Sequence, residues 1–154
     1  MMKVKDFMIQ QVHKVQQDQT LKDVLRLFIH HRISGVPVTD ANNKLVGMIS
    51  DGDVLRYINP QKQTVYDVFS YVIVTEQEEL VEALSNRINT SAKKIMKTKI
   101  HSVSPEDELE KALQILAKHH FKKLPVVNEH KQVVGVISRG DLLKQMATKI
   151  INLD

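Results

Sequence analysis

Sliding the chain along itself by 88 residues brings 5–58 onto 93–146 without a gap. Identical pairs include Met8/Met96, His13/His101, Val15/Val103, Leu21/Leu109, Leu25/Leu113, Pro37/Pro125 and Val38/Val126. The densest stretch sets Gly47-Met-Ile-Ser-Asp-Gly-Asp-Val-Leu55 against Gly135-Val-Ile-Ser-Arg-Gly-Asp-Leu-Leu143. Self-similarity over so long a stretch constrains the fold more than any single motif, because each copy must make the same supersecondary unit.

Within each copy the order reads β-α-β-β-α. A short extended piece around Val12 to Val15, or Ile100 to Val103, precedes an amphipathic helix. Its apolar stripe is Leu21, Val24, Leu25 and Phe28 in the first copy and Leu109, Ala112, Leu113 and Leu116 in the second, at i, i+3, i+4 and i+7. Thr20 and the run Ser104-Pro105-Glu106-Asp107 are start signals for these helices. A short apolar strand follows, Val36-Pro37-Val38-Thr39 or Leu124-Pro125-Val126-Val127. A polar turn, Asp40-Ala41-Asn42-Asn43 or Asn128-Glu129-His130-Lys131, leads into a second strand and then a helix starting near Asp51 or Arg139. The helical crossover predicts a parallel strand pair and the tight turn an antiparallel one. Pro37 and Pro125 lack the N–H of a ladder bond, so they belong at an edge or a break in pairing, where a ligand can meet backbone.

The fold class expected is α/β (α+β), with two pseudo-symmetric repeats at 1–58 and 93–148 packed through their sheets. A connector, 59–92, and a tail, 149–154, complete the chain. In the connector, Thr75-Glu76-Gln77-Glu78 has capping-box spacing, and Leu80, Val81, Leu84 and Ile88 predict a helix.

The chain has 154 residues, 42% hydrophobic and 26% charged, which is the profile of a soluble globular protein. Cysteine is absent, which excludes disulfides, thiolate catalysis and cysteine-held metal. No apolar stretch matches a signal peptide or approaches the roughly 18 residues of a membrane span, so a cytoplasmic protein is expected. Residues 1–88 carry 10 Lys/Arg against 11 Asp/Glu, and 89–154 carry 12 against 7. That contrast fits an anionic partner and is too mild for a nucleic-acid polymer.

The candidate chemistry lies in Ser50-Asp51-Gly52-Asp53 and Ser138-Arg139-Gly140-Asp141, each where a strand gives way to a helix. Ser with an acid three residues on is a capping box, and one copy would mean no more than that. The same helix start offers free N–H groups and a hydroxyl to a phosphate. A carboxylate one turn in can take ribose hydroxyls. Two copies after the same Gly-x-Ile strand strengthen this second reading.

The pattern Gly35-Val-Pro-Val-Thr-Asp40, a turn, then Gly47-Met-Ile-Ser-Asp-Gly-Asp53 resembles the signature of CBS (cystathionine-β-synthase) domains. Phe121-Lys-Lys-Leu-Pro-Val-Val127 followed by Gly135-Val-Ile-Ser-Arg-Gly-Asp141 does too. The likeness implies two repeats about a pseudo-two-fold axis, a Bateman module, with two clefts that take adenosine-containing ligands: AMP, ADP, ATP, S-adenosylmethionine or cyclic di-AMP. It implies ribose on Asp53 and Asp141 and phosphate near Ser50 and Ser138. Lys14, Ser34, Gly35 and Val36 would complete the first copy's pocket, and Ser102, Lys123 and Leu124 the second's. Backbone near Pro37 and Pro125 would select adenine. Lys122, Lys123 and Arg139 stand where the first copy has Ser34, Gly35 and Asp51, so phosphate is expected to favour the pocket built on Asp141, unless a basic side chain reaches across into the other cleft.

The histidine pairs His30-His31 and His119-His120 lie near helix C-termini, where the dipole favours a cation. No ligand cluster has metal spacing, so no metal or other cofactor is expected. No nucleophile elbow or Walker loop is present, so an enzyme is not expected. Leu27, Ile29, Ile115 and Ala117 lie off the core stripes of the first helices. They point to further packing, and the resemblance makes a homodimer the natural form. The expected function is a stand-alone ligand sensor acting in trans on an unidentified effector protein. The alternatives are an interaction or oligomerisation module with vacant pockets, or an enzyme acting on bound nucleotide.

Overall fold

The computed structural model describes residues 1–59, 80–119 and 121–151. The capping-box run Thr75–Glu78 and His120 lie outside them. The first repeat contains β1 (Val15–Gln16), α1 (Leu21–His31), β2 (Gly35–Thr39), β3 (Leu45–Ser50) and α2 (Asp51–Ile58). Residues 80–87 are helical and form α3. The second repeat contains α4 (Leu109–His119), β4 (Lys123–Val127), β5 (Val133–Ser138) and α5 (Arg139–Ile151).

Strand pairing follows the repeat register. β1 runs parallel to β2, and β2 antiparallel to β3 with Gly35 opposite Ser50 and Pro37 opposite Met48. In the second repeat Lys123 faces Ser138 and Pro125 faces Val136, while Val103 supplies the parallel bridge to Val126. Both antiparallel pairs shift register at the same place, between Val38 and Thr39 and between Val126 and Val127.

Pro37 sits in the middle strand of the order β1-β2-β3, and Pro125 in β4, which pairs with β5 and is bridged by Val103. Each is accommodated neither at an edge nor at a break but at a non-hydrogen-bonded position of a continuous ladder. Met48 opposite Pro37 turns its N–H and C=O away, to Lys97, at 3.0 and 2.9 Å. Val136 does the same with Ile9. Neither proline is therefore asked for the bond it cannot make.

Local signals act as expected at the helix starts. Thr20 caps α1 with Asp23 in a reciprocal box, and Asp40 Oδ1 accepts from Asn42 and Lys44 N–H groups to hold the β2–β3 turn. Asn128 Oδ1 repeats the turn with His130 and Gln132.

The segments ahead of each repeat are exchanged between the two lobes. Val4 and Phe7 are buried with Val103, Leu109, Leu124 and Ile137 in the second core. Ala92 and Ile95 are buried with Val15, Leu21, Val36 and Ile49 in the first. Backbone bonds tie the exchange, from Leu109 N–H to Met2 O and from Leu21 N–H to Thr90 O. The two β-turns also meet: Leu45 N–H donates to Lys131 O and Val133 N–H to Asn43 O. Leu84 of α3 packs on the first core. Leu27 and Ile115 pack on their own repeats, and Ile29 and Ala117 are exposed.

Candidate functional site

Each strand-to-helix junction opens into a cleft, and each cleft is composite. The cleft of Ser50 and Asp53, about 290 Å³, is also lined by Lys97, Lys99, Ile100, His101, Phe121 and Pro125. The cleft of Ser138, Arg139 and Asp141, about 550 Å³, is lined by Ile9, Gln11, Val12, His13, Ile33 and Pro37. These volumes bracket the lower range of small-molecule sites. Each Ser-x-x-Asp thus faces the proline strand of the other repeat, because the exchanged segments and the paired turns place the repeats head to head.

This geometry regroups the residues read from sequence. Ser34, Gly35, Lys122 and Lys123 line both clefts. Val36 and Leu124 are wholly buried in the cores, since strand alternation turns them away from their cleft-lining neighbours. Lys14 is exposed beside Gln19, Asp23 and Arg26, outside both clefts, and its counterpart Ser102 lines neither. The cleft positions are one residue earlier, at His13 and His101. Lys122 Nζ reaches across to Asp51 at 3.7 Å, so a basic side chain of the second copy lines the first copy's cleft.

The two aspartates stand in different states. Asp53 is buried, and its Oδ2 accepts from Ser50 N–H at 2.9 Å and from Ser50 Oγ at 3.0 Å. Its Oδ1 takes Arg56 at 2.8 Å and Lys97 at 3.4 Å. Burial alone would raise its pKa. The Ser50 N–H, Arg56, the Ser50 hydroxyl and the Lys97 charge together outweigh burial and hold it below the ordinary carboxylate value. Asp141 is exposed to its cleft, and among the described residues its carboxylate has no hydrogen bond or ion pair. One repeat along, Arg56 becomes Lys144 and Lys97 becomes Ile9, so one cation is shortened and the other is lost. That substitution was readable from the alignment of the copies.

The histidines form ring stacks with the segment ahead of each helix, a contact that helix-dipole reasoning does not supply. His13 stacks on His31 with centroids 3.7 Å apart, and His101 on His119 at 4.3 Å, with Phe121 beside both. The Asp53 cleft thereby gains an aromatic wall. His13 is held below its ordinary pKa by burial, then by the charges of His31 and Lys123. Among the described residues no cluster of three His, Asp or Glu could hold a metal, and no helix is long and apolar enough to cross a membrane.

Comparison with known proteins agrees with this architecture. A family model of the CBS domain matches twice, over residues 4–60 and 92–148. The chain is 31% identical to MJ1426 of Methanocaldococcus jannaschii, over 94% of its own length and 91% of that protein's. It is 30% identical to the chloroplastic CBS domain-containing protein CBSX2 of Arabidopsis thaliana, over 92% of its length and 62% of the relative's. The crystal structure of CBSX2 in complex with AMP superposes with a TM-score of 0.70 at 25% identity, covering 97% of this chain and 98% of that one.

Proposed function

The chain belongs to the CBS-domain family as a tandem pair, and from that premise we propose that it binds an adenosine-containing ligand between its repeats and reports occupancy to a partner protein. The observation that carries this reading is the Asp141 cleft. An open carboxylate there stands at a helix start beside Ser138 and Arg139, with the Lys123 ammonium near enough to act on it. A ribose diol needs such an acceptor, and a phosphate needs such donors and cations. AMP in the related CBSX2 supports the ligand class.

We take the Asp141 cleft as the primary site. Lys122 and Lys123 border both clefts, and Arg32 and Arg139 at one are matched by Lys97 and Lys99 at the other, so the preference proposed here does not rest on basic charge. The acceptor does. A ribose at Asp53 must displace the contacts of Ser50, Arg56 or Lys97, whereas Asp141 is ready.

A thermal-shift panel of AMP, ADP, ATP, S-adenosylmethionine, cyclic di-AMP and their guanosine counterparts tests the proposal. Ligand at a hundred times its Kd stabilises by about 2.7 kcal/mol. A rise with one adenosine ligand that falls to roughly a third in Asp141→Ala at the same ligand concentration is expected; no rise with any of them overturns the reading. Nucleotide recovered unchanged after incubation is also expected, and product formation would make the protein an enzyme.

We read the module as a homodimer. Ile29 on α1 and Leu143 on α5 are 75% and 68% exposed, and two chains packed through these helices would cover them. Light scattering giving a monomer mass at micromolar concentration would contradict this.

A further inference from the structure

Gly35 and Lys123 are repeat partners, 88 residues apart, and both line both clefts. They also touch: Lys123 Nζ donates to Gly35 O at 3.2 Å. The lysine therefore leans over its own counterpart, where glycine offers no side chain to oppose it. Its neighbour Lys122 is 58% exposed and faces Asp51. Lys123 is half-buried, and among the described residues Gly35 O is its one hydrogen-bond acceptor, which leaves donors of the ammonium over.

We propose that Lys123 is a single phosphate ligand shared by the two clefts, through which an anionic nucleotide in one lowers the affinity of the other. The inference rests on the reading of the clefts as nucleotide sites. Lysine carries a compact charge on a flexible stem, so it can turn to either cleft but faces one phosphate at a time. The first nucleotide claims it; the second binds without it and beside a newly anionic wall. The coupling is reciprocal, so the order of filling does not matter.

Gly140 provides the means of testing this. It lines the Asp141 cleft, and a Cβ placed on it meets nothing within 4 Å, so Gly140→Trp can set an indole there to obstruct the cleft without a clash at Cβ. Calorimetric titration with AMP then compares the Asp53 cleft of this variant with the second binding step of the unaltered chain. AMP is expected to bind the blocked chain at least about fivefold more tightly than it binds in that second step. Uncharged adenosine should show no such difference, and Lys123→Met or Lys123→Gln should bring the AMP ratio towards one.

Equal affinities for AMP, a ratio unchanged in both Lys123 variants, or no binding to the blocked chain would overturn the shared ligand while leaving nucleotide binding at Asp141 intact. No AMP or adenosine binding to the unaltered chain would instead overturn the nucleotide reading itself.

Discussion

Alanine at Asp53 and alanine at Asp141 remove the same atom group from equivalent positions and should have opposite consequences. At Asp53 the substitution breaks a reciprocal cap with Ser50 and the contacts to Arg56 and Lys97. Loss of a cap costs about 1 kcal/mol. The cations are 64% and 57% exposed, so their pairs add only about 0.2–1 kcal/mol each after solvent screening. The sum is about 2 kcal/mol, which at a urea slope near 2 kcal/mol/M moves the midpoint by about 1 M. Among the described residues Asp141→Ala removes no hydrogen bond or ion pair, only the nearby charge felt by Lys123, and should stay within about 0.5 kcal/mol. It should instead weaken AMP by roughly thirtyfold, the equivalent of about 2 kcal/mol for hydroxyls bonded to a charged acceptor.

The pH dependence carries its own sign. Asp53 has a depressed pKa, so its stabilisation is present above the ordinary carboxylate value and is lost as pH falls through the lower folded value. The gap between wild type and Asp53→Ala should close in acid. Equal destabilisation by the two variants in paired urea curves, or a gap independent of pH, would refute this assignment.

Phe7→Ala should cost about 3–5 kcal/mol by urea denaturation, because Phe7 is 5% exposed in the core of the opposite repeat; a loss below about 1 kcal/mol would contradict the exchange. Gly47→Ala should be costlier than Gly135→Ala, about 1–3 kcal/mol, as its Cβ would lie 2.9 Å from the Lys97 carbonyl against 3.2 Å from that of Ile9. Similar melting temperatures for the two would count against these backbone approaches. Glu106, bonded to Lys3 and Lys5, should titrate at about 2 by NMR at low salt. Its charge therefore favours the folded chain above the ordinary glutamate range and ceases to as pH falls through about 2. Added salt or Lys5→Ala should raise the midpoint, and an ordinary midpoint at low salt would contradict the pairing.

What was legible in the sequence was local or periodic. The stripe of α1, the Asp40 turn and the caps at Thr20 and Ser50 depend on residues within one turn of each other, and the 88-residue register carried them into the second copy. The exchange of 2–9 with 90–97 was not legible, because Val4 meets Val103 through packing that leaves no mark at either position. The same exchange brings Lys97, His101, Ile9 and His13 into the clefts, which is why Lys14 and Ser102 stood in for them. The Ser-x-x-Asp motifs read alike, and only the packed neighbours, Arg56 and Lys97 against Lys144 and Ile9, separate a saturated carboxylate from an open one. The stacked histidines needed the third dimension too, since His13 and His31 belong to different elements.

The central claim, that adenosine nucleotide enters the composite cleft at Asp141 first, is tested most directly by mapping amide shifts in an NMR titration with AMP. The expected result is early, saturable change at 9–13, 32–37, 122–125 and 138–141, with Ser50 to Asp53 responding only at higher concentration. Changes that begin at Ser50 to Asp53, or none in either cleft, would contradict it.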